Sequence, residues 1–355
     1  RAYTGVDIHV SPFSLFEIQT VGVEKMSGET VEALGEGTAA KVPDVVTFGE
    51  SMGLMMPAGA KGIEYSAQFE KSFAGAESNV AIGLARLGIA SGWFGRLGSD
   101  PLGRYILKQI RGEGVDVSRA ALDEHAPTGL IIREIVNGRS SVYYYRRGSA
   151  ASRMRPEDLD EAYISGAKML HITGITPALS PGCRDTVMEA VRIARKHGVK
   201  VVFDPNLRLK LWTIDEARPI LLALAKESDY FLPGLDELAL LYGTDDFAVI
   251  SEKLGRLRAV SVVKGGKGET YLFEGGKTVS VPYALADRVV DPVGAGDGFC
   301  AGLIAGLLKR FSLVEAVRLG NLVGSIVVQS AGDWEGLPTW AEVEAVLGKR
   351  THVER

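Results

Sequence analysis

Val289-Val290-Asp291-Pro292-Val293-Gly294-Ala295-Gly296-Asp297-Gly298-Phe299 leads into the apolar run Cys300–Leu308, and the junction reads as a loop feeding the first turn of a buried helix. The small residues Gly294, Ala295 and Gly296 let successive backbone N–H groups turn toward one point, where the partial positive charge of a helix start meets an anion. Asp297 falls in the first helical turn, where the same charge favours its ionised form. A carboxylate beside a bound phosphate is placed to take the proton of a hydroxyl that attacks phosphorus. Two other readings stay open here: a glycine-rich loop with an aspartate cap, or a dinucleotide fingerprint at Gly296-x-Gly298-x-x-Ala301 with Glu315 downstream. The fingerprint fits poorly, because the motif lies near the C-terminus and an aspartate inside the loop would repel a pyrophosphate. Gly276-Lys277-Thr278 imitates part of a P-loop, but the first glycine such a loop needs falls on Tyr271.

Outward from this motif, short apolar segments alternate with amphipathic ones. Strands are expected at 44–48, Ala167–Ile172, Val199–Phe203, Tyr230–Leu232 and Ala259–Val263. Helices are expected at Ser78–Leu87, Cys183–Lys196, Asp215–Lys226 and Asp246–Leu257. That alternation reads as βαβ units, and hence as an α/β fold with a mostly parallel sheet covered on both faces. One segment breaks the rhythm. Thr128–Val136 and Ser140–Arg147 flank Asn137-Gly138, a strong hairpin signal because both turn positions tolerate positive φ. With Ile63–Phe73, which alternates partly, they form a small antiparallel sheet outside the main one, suited to a lid that excludes water. The other reading of the hairpin is an extension of the main sheet.

The chain has 355 residues, 46% hydrophobic and 24% charged, enough for one large α/β body with an appendage or for two ordinary domains. A formal charge of −4 leaves no electrostatic footprint for nucleic acid or an anionic membrane, so an anionic ligand must be held by a local site. Cys183 and Cys300 lie far apart without metal-ligand spacing, a usage that fits a reducing cytoplasm. The five histidines form no HxxxH or HxE pattern, and no apolar run reaches the length of a membrane-spanning helix. Residues 1–43 begin with Arg1 and show weak periodicity; Met26 is expected to be the natural start and the segment to be disordered or non-native. Asp7 and Glu17 interrupt any secretory signal there. One domain over 44–350, with its lid drawn from about 53–73 and 128–147, and a tail at 351–355 complete the expected organisation.

Asp291–Asp297 resembles the C-terminal signature of the ribokinase (PfkB-type) sugar kinases. Gly75-Ala76-Glu77-Ser78-Asn79-Val80-Ala81, followed by Leu87-Gly88, resembles the family's N-terminal signature, and Gly95-Arg96-Leu97-Gly98-Ser99-Asp100-x-x-Gly103 matches between them. The likeness continues to Leu337-Pro338-Thr339 and so covers nearly everything after residue 43. Phe73–Asn79, Tyr143–Ser152, Asp204–Trp212 and Gly332–Thr339 are most similar to the bacterial 2-keto-3-deoxygluconate kinases. The resemblance implies a ribokinase-like three-layer αβα fold with a small β lid, ATP and Mg²⁺, an anion hole at Gly294, Ala295 and Gly296, and Asp297 as base. It also implies Gly75 and Asn79 against the sugar. The expected reaction is transfer of phosphate from ATP to the 6-hydroxyl of 2-keto-3-deoxy-D-gluconate. The alternatives are a fructokinase or ribokinase-type enzyme for a neutral sugar, or a nucleotide- or sugar-binding regulator without turnover.

Substrate class hangs on the arginines. Tyr144-x-Arg146 lies on the expected hairpin, and Arg208 follows Asp204-Pro205-Asn206 at a strand's carboxyl end, where α/β ligands bind. A planar guanidinium grips a carboxylate through two parallel charge-assisted hydrogen bonds. In the resembling kinases the equivalents of Tyr144, Arg146 and Arg208 hold the acid end of the substrate; Arg147 and Arg153 lie close enough to compete, and a solvated basic face is the other reading. For the nucleotide, Lys264-Gly265-Gly266-x-Gly268 resembles the family's glycine turn, and Asn321 is expected to border the same cavity. Gly234 replaces the Asn of the family's Asn-x-x-Glu element, while Glu237 remains able to organise Mg²⁺ through water. Leu130-Ile131-Ile132 stands where related kinases often place a tyrosine. A monovalent cation and pairing of two chains through the lid complete the expectations.

Overall fold

In the computed structural model, residues 42–348 are described except for 60, 61, 138, 266, 267, 284 and 287. The readings of residues 1–41, of Gly138, of Gly266 and of the tail at 351–355 fall outside the described residues. The strands are β1 (Val45–Phe48), β2 (Met52–Pro57), β3 (Phe69–Ala74), β4 (Ser91–Phe94), β5 (Arg96–Gly98), β6 (Ala121–Asp123), β7 (Leu130–Val136), β8 (Arg139–Tyr145), β9 (Met169–Thr173), β10 (Lys200–Asp204), β11 (Tyr230–Phe231), β12 (Val260–Lys264), β13 (Glu269–Glu274) and β14 (Lys277–Pro282). The α-helices are α1 (Ala76–Arg86), α2 (Pro101–Gly112), α3 (Glu161–Ser165), α4 (Pro181–Lys196), α5 (Ile214–Glu227), α6 (Leu235–Tyr242), α7 (Phe247–Gly255), α8 (Ala295–Leu308), α9 (Leu313–Val327) and α10 (Trp340–Val346).

Side-chain alternation along the strands builds three layers. Val46, Phe48, Leu170, Ile172, Val201 and Phe203 point to one face of the central sheet, where α4 and α5 pack Val187, Val191, Leu221 and Leu224 against them. Val45, Met169, Val202 and Val262 point to the other, against Val80 and Leu84 of α1, Leu303 and Ile304 of α8, and Val317 and Val323 of α9. The sheet runs in the order β14-β13-β12-β11-β10-β9-β1-β4. It is parallel from β4 to β12 and closes with the antiparallel strands β13 and β14. Gly275 and Gly276, both at positive φ, turn that closing hairpin. The P-loop imitation therefore lies on a hairpin tip, with Lys277 and Thr278 in β14.

Helix starts are set by caps more than by apolar periodicity, so several lie ahead of their expected positions. Ser180 accepts the Cys183 N–H at 3.1 Å and starts α4 at Pro181. Thr213 and Glu216 cap each other's backbone to start α5. α8 begins at Ala295, with Asp297 in its first turn as expected, because Gly294 adopts the left-handed conformation that turns the chain into it. A β-carbon at Gly294 would also stand 2.1 Å from the Asp333 carbonyl, so glycine is required there twice over.

A second, four-stranded sheet in the order β3-β2-β7-β8 stands apart from the main one. Asn137, at φ 51°, turns β7 into β8, with Val136 paired to Arg139. The strand read at 63–73 is displaced: the paired strand is β3, Phe69–Ala74, and its partner β2 was not read as a strand. Register puts Ile131, Arg133, Val142 and Tyr144 on one face of this sheet and Ile132, Tyr143 and Tyr145 on the other. Among the described residues no helix is long and apolar enough to cross a membrane.

The placement of α8 depends on close contact with α9. A β-carbon on Gly302 would meet the Gly320 Cα and the Leu319 carbonyl, both at 2.9 Å. Gly302→Ala should therefore cost roughly 1–3 kcal/mol through overpacking, read as a lowered midpoint in denaturant unfolding, while an alanine at the open Gly255 should not lower it.

Candidate active site

The carboxyl ends of the parallel strands and the inner face of the four-stranded sheet enclose a cleft of about 890 Å³. Gly75, Asn79, Tyr144, Arg146, Arg208, Glu237, Lys264, Gly294, Ala295, Gly296, Asp297 and Asn321 all line it. Of the remaining expected site residues, Gly268 does not line the cleft; it holds φ at +82° and accepts the Tyr283 N–H through its carbonyl.

Asp297 is the third residue of α8 and is 8% exposed. Its Oδ2 accepts the Asn79 Nδ2–H at 2.8 Å, and the same nitrogen lies 3.2 Å from Asp333 Oδ1. Burial first, and then repulsion from Asp333, push the Asp297 carboxyl up to about 8 against the opposing Asn79 hydrogen bond. Burial and Glu335 push Asp333 up to about 7. The backbone N–H groups around this carboxyl are poorly satisfied. Among the described residues, the main-chain acceptor at this helix start is Pro292 O, 3.4 Å from the Ala295 nitrogen, and none is met by Gly294, Gly296 or Asp297. Those donors face an anion-sized need.

Asn79, expected against the sugar, thus holds the carboxyl pair with its nitrogen; its Oδ1 is buried without a partner. Gly75, also expected there, precedes α1 with extended φ. A β-carbon on it would meet Glu50 O at 2.6 Å and the hydroxyls of Ser51 and Ser78 at 2.8 Å, so packing of its own neighbours already demands glycine. Arg146 ion-pairs with the buried carboxylate of Glu50, whose other oxygen accepts the Ser149 hydroxyl at 2.7 Å. Tyr144 lies under the Arg146 guanidinium and the Lys210 amine, each 5.5 Å from the ring centre. Arg208 is exposed on the cleft and makes no ion pair among the described residues. At the expected tyrosine position, Ile131 packs with Met52, Leu54 and Ala74 in an apolar cluster.

Lys264, read as a nucleotide contact, donates to Asp204 at 3.0 Å; burial pulls its amine down, but Asp204, Cys300 and Glu237 together outweigh this and the net shift is upward. Asn321 accepts the Thr270 hydroxyl at 2.7 Å, and its Nδ2 is buried without a partner. With the apolar Leu285, Val289, Val293 and Val328 on the same wall, that orphaned donor fits a planar heterocycle such as adenine. Glu237 accepts the Leu207 and Gly234 N–H groups, each at 2.7 Å, so a metal would reach it through water. Among the described residues no group of three His, Cys, Asp or Glu could hold a metal. Asp236 and Glu237 on the cleft suit a magnesium ion carried by phosphates and reached through water.

Sequence reading missed Glu50, Arg133 and Asp333. Glu50 carried one usable signal, its place just beyond the carboxyl end of β1. Arg133 reaches from β7 to Asp291 with two bonds of 2.6 and 2.8 Å, both side chains buried; burial opposes this, but the pair holds Asp291 below the usual carboxylate range. Nothing local marked either Arg133 or Asp333.

The family profile described as pfkB family carbohydrate kinase matches residues 42–340. The 2-dehydro-3-deoxygluconokinase of Bacillus subtilis (strain 168) is 40% identical over 318 residues, covering 88% of this chain and 98% of that one. The protein of the same name from Thermoproteus tenax is 34% identical over 319 residues, covering 88% and 97%. A sugar kinase of Pyrococcus horikoshii solved in complex with ATP superposes with a TM-score of 0.73 at 26% identity, covering 85% and 97%.

The raised Asp297 carboxyl makes a stability prediction. The folded chain keeps a proton that the unfolded chain releases near 3.8, so stability falls as pH rises from there through about 8. Asp297→Asn, which retains an acceptor for Asn79, should melt higher than wild type at alkaline pH and with it at acid pH; paired calorimetric scans check the crossover.

Proposed function

The chain belongs to the pfkB family of carbohydrate kinases, and from that premise we propose that it transfers the γ-phosphoryl group of ATP to the 6-hydroxyl of 2-keto-3-deoxy-D-gluconate. This is the compound called 2-dehydro-3-deoxygluconate in the names of its relatives. The observation that carries the reading is the Asp297 carboxyl, buried at a helix start whose N–H groups lack main-chain acceptors, inside a cleft that also presents Arg208.

In this reading the sugar acid lies with its carboxylate toward Arg208 and the Tyr144–Arg146 strand, leaving the far hydroxyl against Asp297. Asp297 accepts the hydroxyl proton as the oxygen bonds to the γ-phosphorus, and the bond from that phosphorus to the bridging oxygen breaks to release ADP. The N–H groups of Gly294, Ala295 and Gly296 meet the charge on the transferring group, in a site where water no longer screens it. Asn79 holds the carboxyl in line. Asn321 and the apolar wall take the adenine. Magnesium, when bound with the nucleotide, neutralises phosphate charge, and Glu237 would order its water shell. The four-stranded sheet acts as the lid over the sugar. Exposed Ile135, Tyr143 and Tyr145 leave the lid able to pair with a second chain. ATP as donor and two free, buried cysteines fit a cytoplasmic enzyme.

Turnover of 2-keto-3-deoxy-D-gluconate should exceed that of fructose and ribose by orders of magnitude in an ADP-release assay; rapid use of the neutral sugars with none of the acid overturns the reading. Asp297→Asn should lower kcat by roughly 100- to 10,000-fold with nucleotide affinity retained. Because the base must be ionised, kcat/KM should climb with pH and level off near the Asp297 value of about 8, which a pH–rate profile tests directly.

A further inference from the structure

Arg133 stands on the lid strand β7, yet its guanidinium is committed inside the chain. Both terminal nitrogens donate to Asp291, at 2.6 and 2.8 Å, and Nε donates to Ser140 Oγ at 3.2 Å across the hairpin. A guanidinium held at all three nitrogens is fixed in one orientation, and what it fixes in turn is Asp291. Asp291 lies three residues before Gly294, the turn into α8. Its Oδ1 accepts the Val293 N–H at 3.1 Å, and its own N–H reaches the Val328 carbonyl at 3.2 Å. Burial opposes its ionisation, and Arg133 together with the Val293 and Gly332 N–H groups overcomes that opposition. Gly332 precedes Asp333, whose carbonyl abuts Gly294. One carboxylate therefore joins the two loops that flank Asp297, and one residue of the lid holds that carboxylate.

Stability does not account for the pair. A buried ion pair is often no better than apolar side chains of the same volume, and its best-attested use is to fix register. Apolar partners were at hand, since Ile131 and Val142 share the face of the lid sheet that carries Arg133 and pack in an apolar cluster. We propose that Arg133 is a positioning residue for phosphoryl transfer: from the lid it sets Asp291, and through Asp291 it aims the N–H donors at the start of α8 toward the transferring phosphate. The proposal rests on the kinase reading above and adds a residue to it.

Steady-state kinetics of Arg133→Lys, Asp291→Asn and the double variant test it, run well below each melting midpoint. Lysine keeps the charge but cannot span both oxygens of Asp291. Arg133→Lys should therefore lower kcat roughly 10- to 100-fold. KM for ATP and for the sugar should stay within about threefold of wild type, because displaced donors weaken what is bound in the transition state. Asp291→Asn should show the same split, and the double variant should be no slower than the slower single, since both break one tie. A kcat within about twofold of wild type in folded Arg133→Lys overturns the proposal and leaves the pair a purely structural one. A raised KM with kcat intact overturns it too, by making Arg133 a substrate contact, as do effects that multiply in the double variant. Should Arg133→Lys not fold, Asp291→Asn decides by the same criteria, because asparagine keeps an acceptor for the Val293 N–H. Wild type is assayed first on 2-keto-3-deoxy-D-gluconate, fructose and ribose. Turnover of none of them overturns the kinase reading and this proposal together. Turnover of a neutral sugar alone overturns only the sugar-acid reading, and the variants are then compared on that sugar.

Discussion

Asn79 offers one amide nitrogen to two carboxyl groups, Asp297 at 2.8 Å and Asp333 at 3.2 Å, and three separate parts of the chain meet at that junction. α1 brings the amide, α8 brings the first carboxyl, and the loop before α10 brings the second. Burial and repulsion from Asp333 raise the proton affinity of Asp297, and burial with Glu335 raises that of Asp333. The arrangement persists because the surrounding layers over-determine it: Gly294 can turn α8 inward only by lying against the backbone of Asp333, and α8 is held by glycine contacts along α9. The carboxyl is therefore aimed by packing, and its acidity follows from where packing puts it.

The lid is joined to the same junction by a different force. Arg133 on β7 spans to Asp291, and Asp291 in turn accepts the Val293 N–H at 3.1 Å in the loop that leads into α8. A buried ion pair of this kind adds little net stability compared with an apolar substitute, but it tolerates no loose geometry. Its effect is positional. The pair ties the lid strand β7 to the loop that leads into α8.

How far the sequence discloses this site depends on whether a residue's neighbours are local. Asp297 and its small-residue loop were legible because the helix start and the donors it exposes are made within a few positions. The parallel sheet was legible from alternating apolar runs, and the β7–β8 hairpin from Asn137-Gly138. β2 and the true bounds of β3 were not, since strand limits in a half-exposed sheet are decided by the partner strand. Asp333 and Asn79 lie 254 positions apart, and Arg133 and Asp291 158 apart; no spacing rule reaches that far. Lys264 and Arg146 were recognised as cations at the right place, yet Asp204 and Glu50, which claim them, could not be read from either local motif.

That last point explains how an anionic chain would admit the two anionic substrates of the proposed reading. The net charge of −4 is unhelpful, and the cations on the cleft other than Arg208 are cancelled in place: Lys264 by Asp204, Arg133 by Asp291, Arg146 by Glu50. Paired charges project weak fields. The positive groups left unmatched are the row of N–H groups at the start of α8 and the guanidinium of Arg208. In the proposed reading these are the places where phosphate and carboxylate come to rest. Selectivity then comes from which charges are left unmatched, and a substitution in any internal pair would alter specificity without touching a ligand.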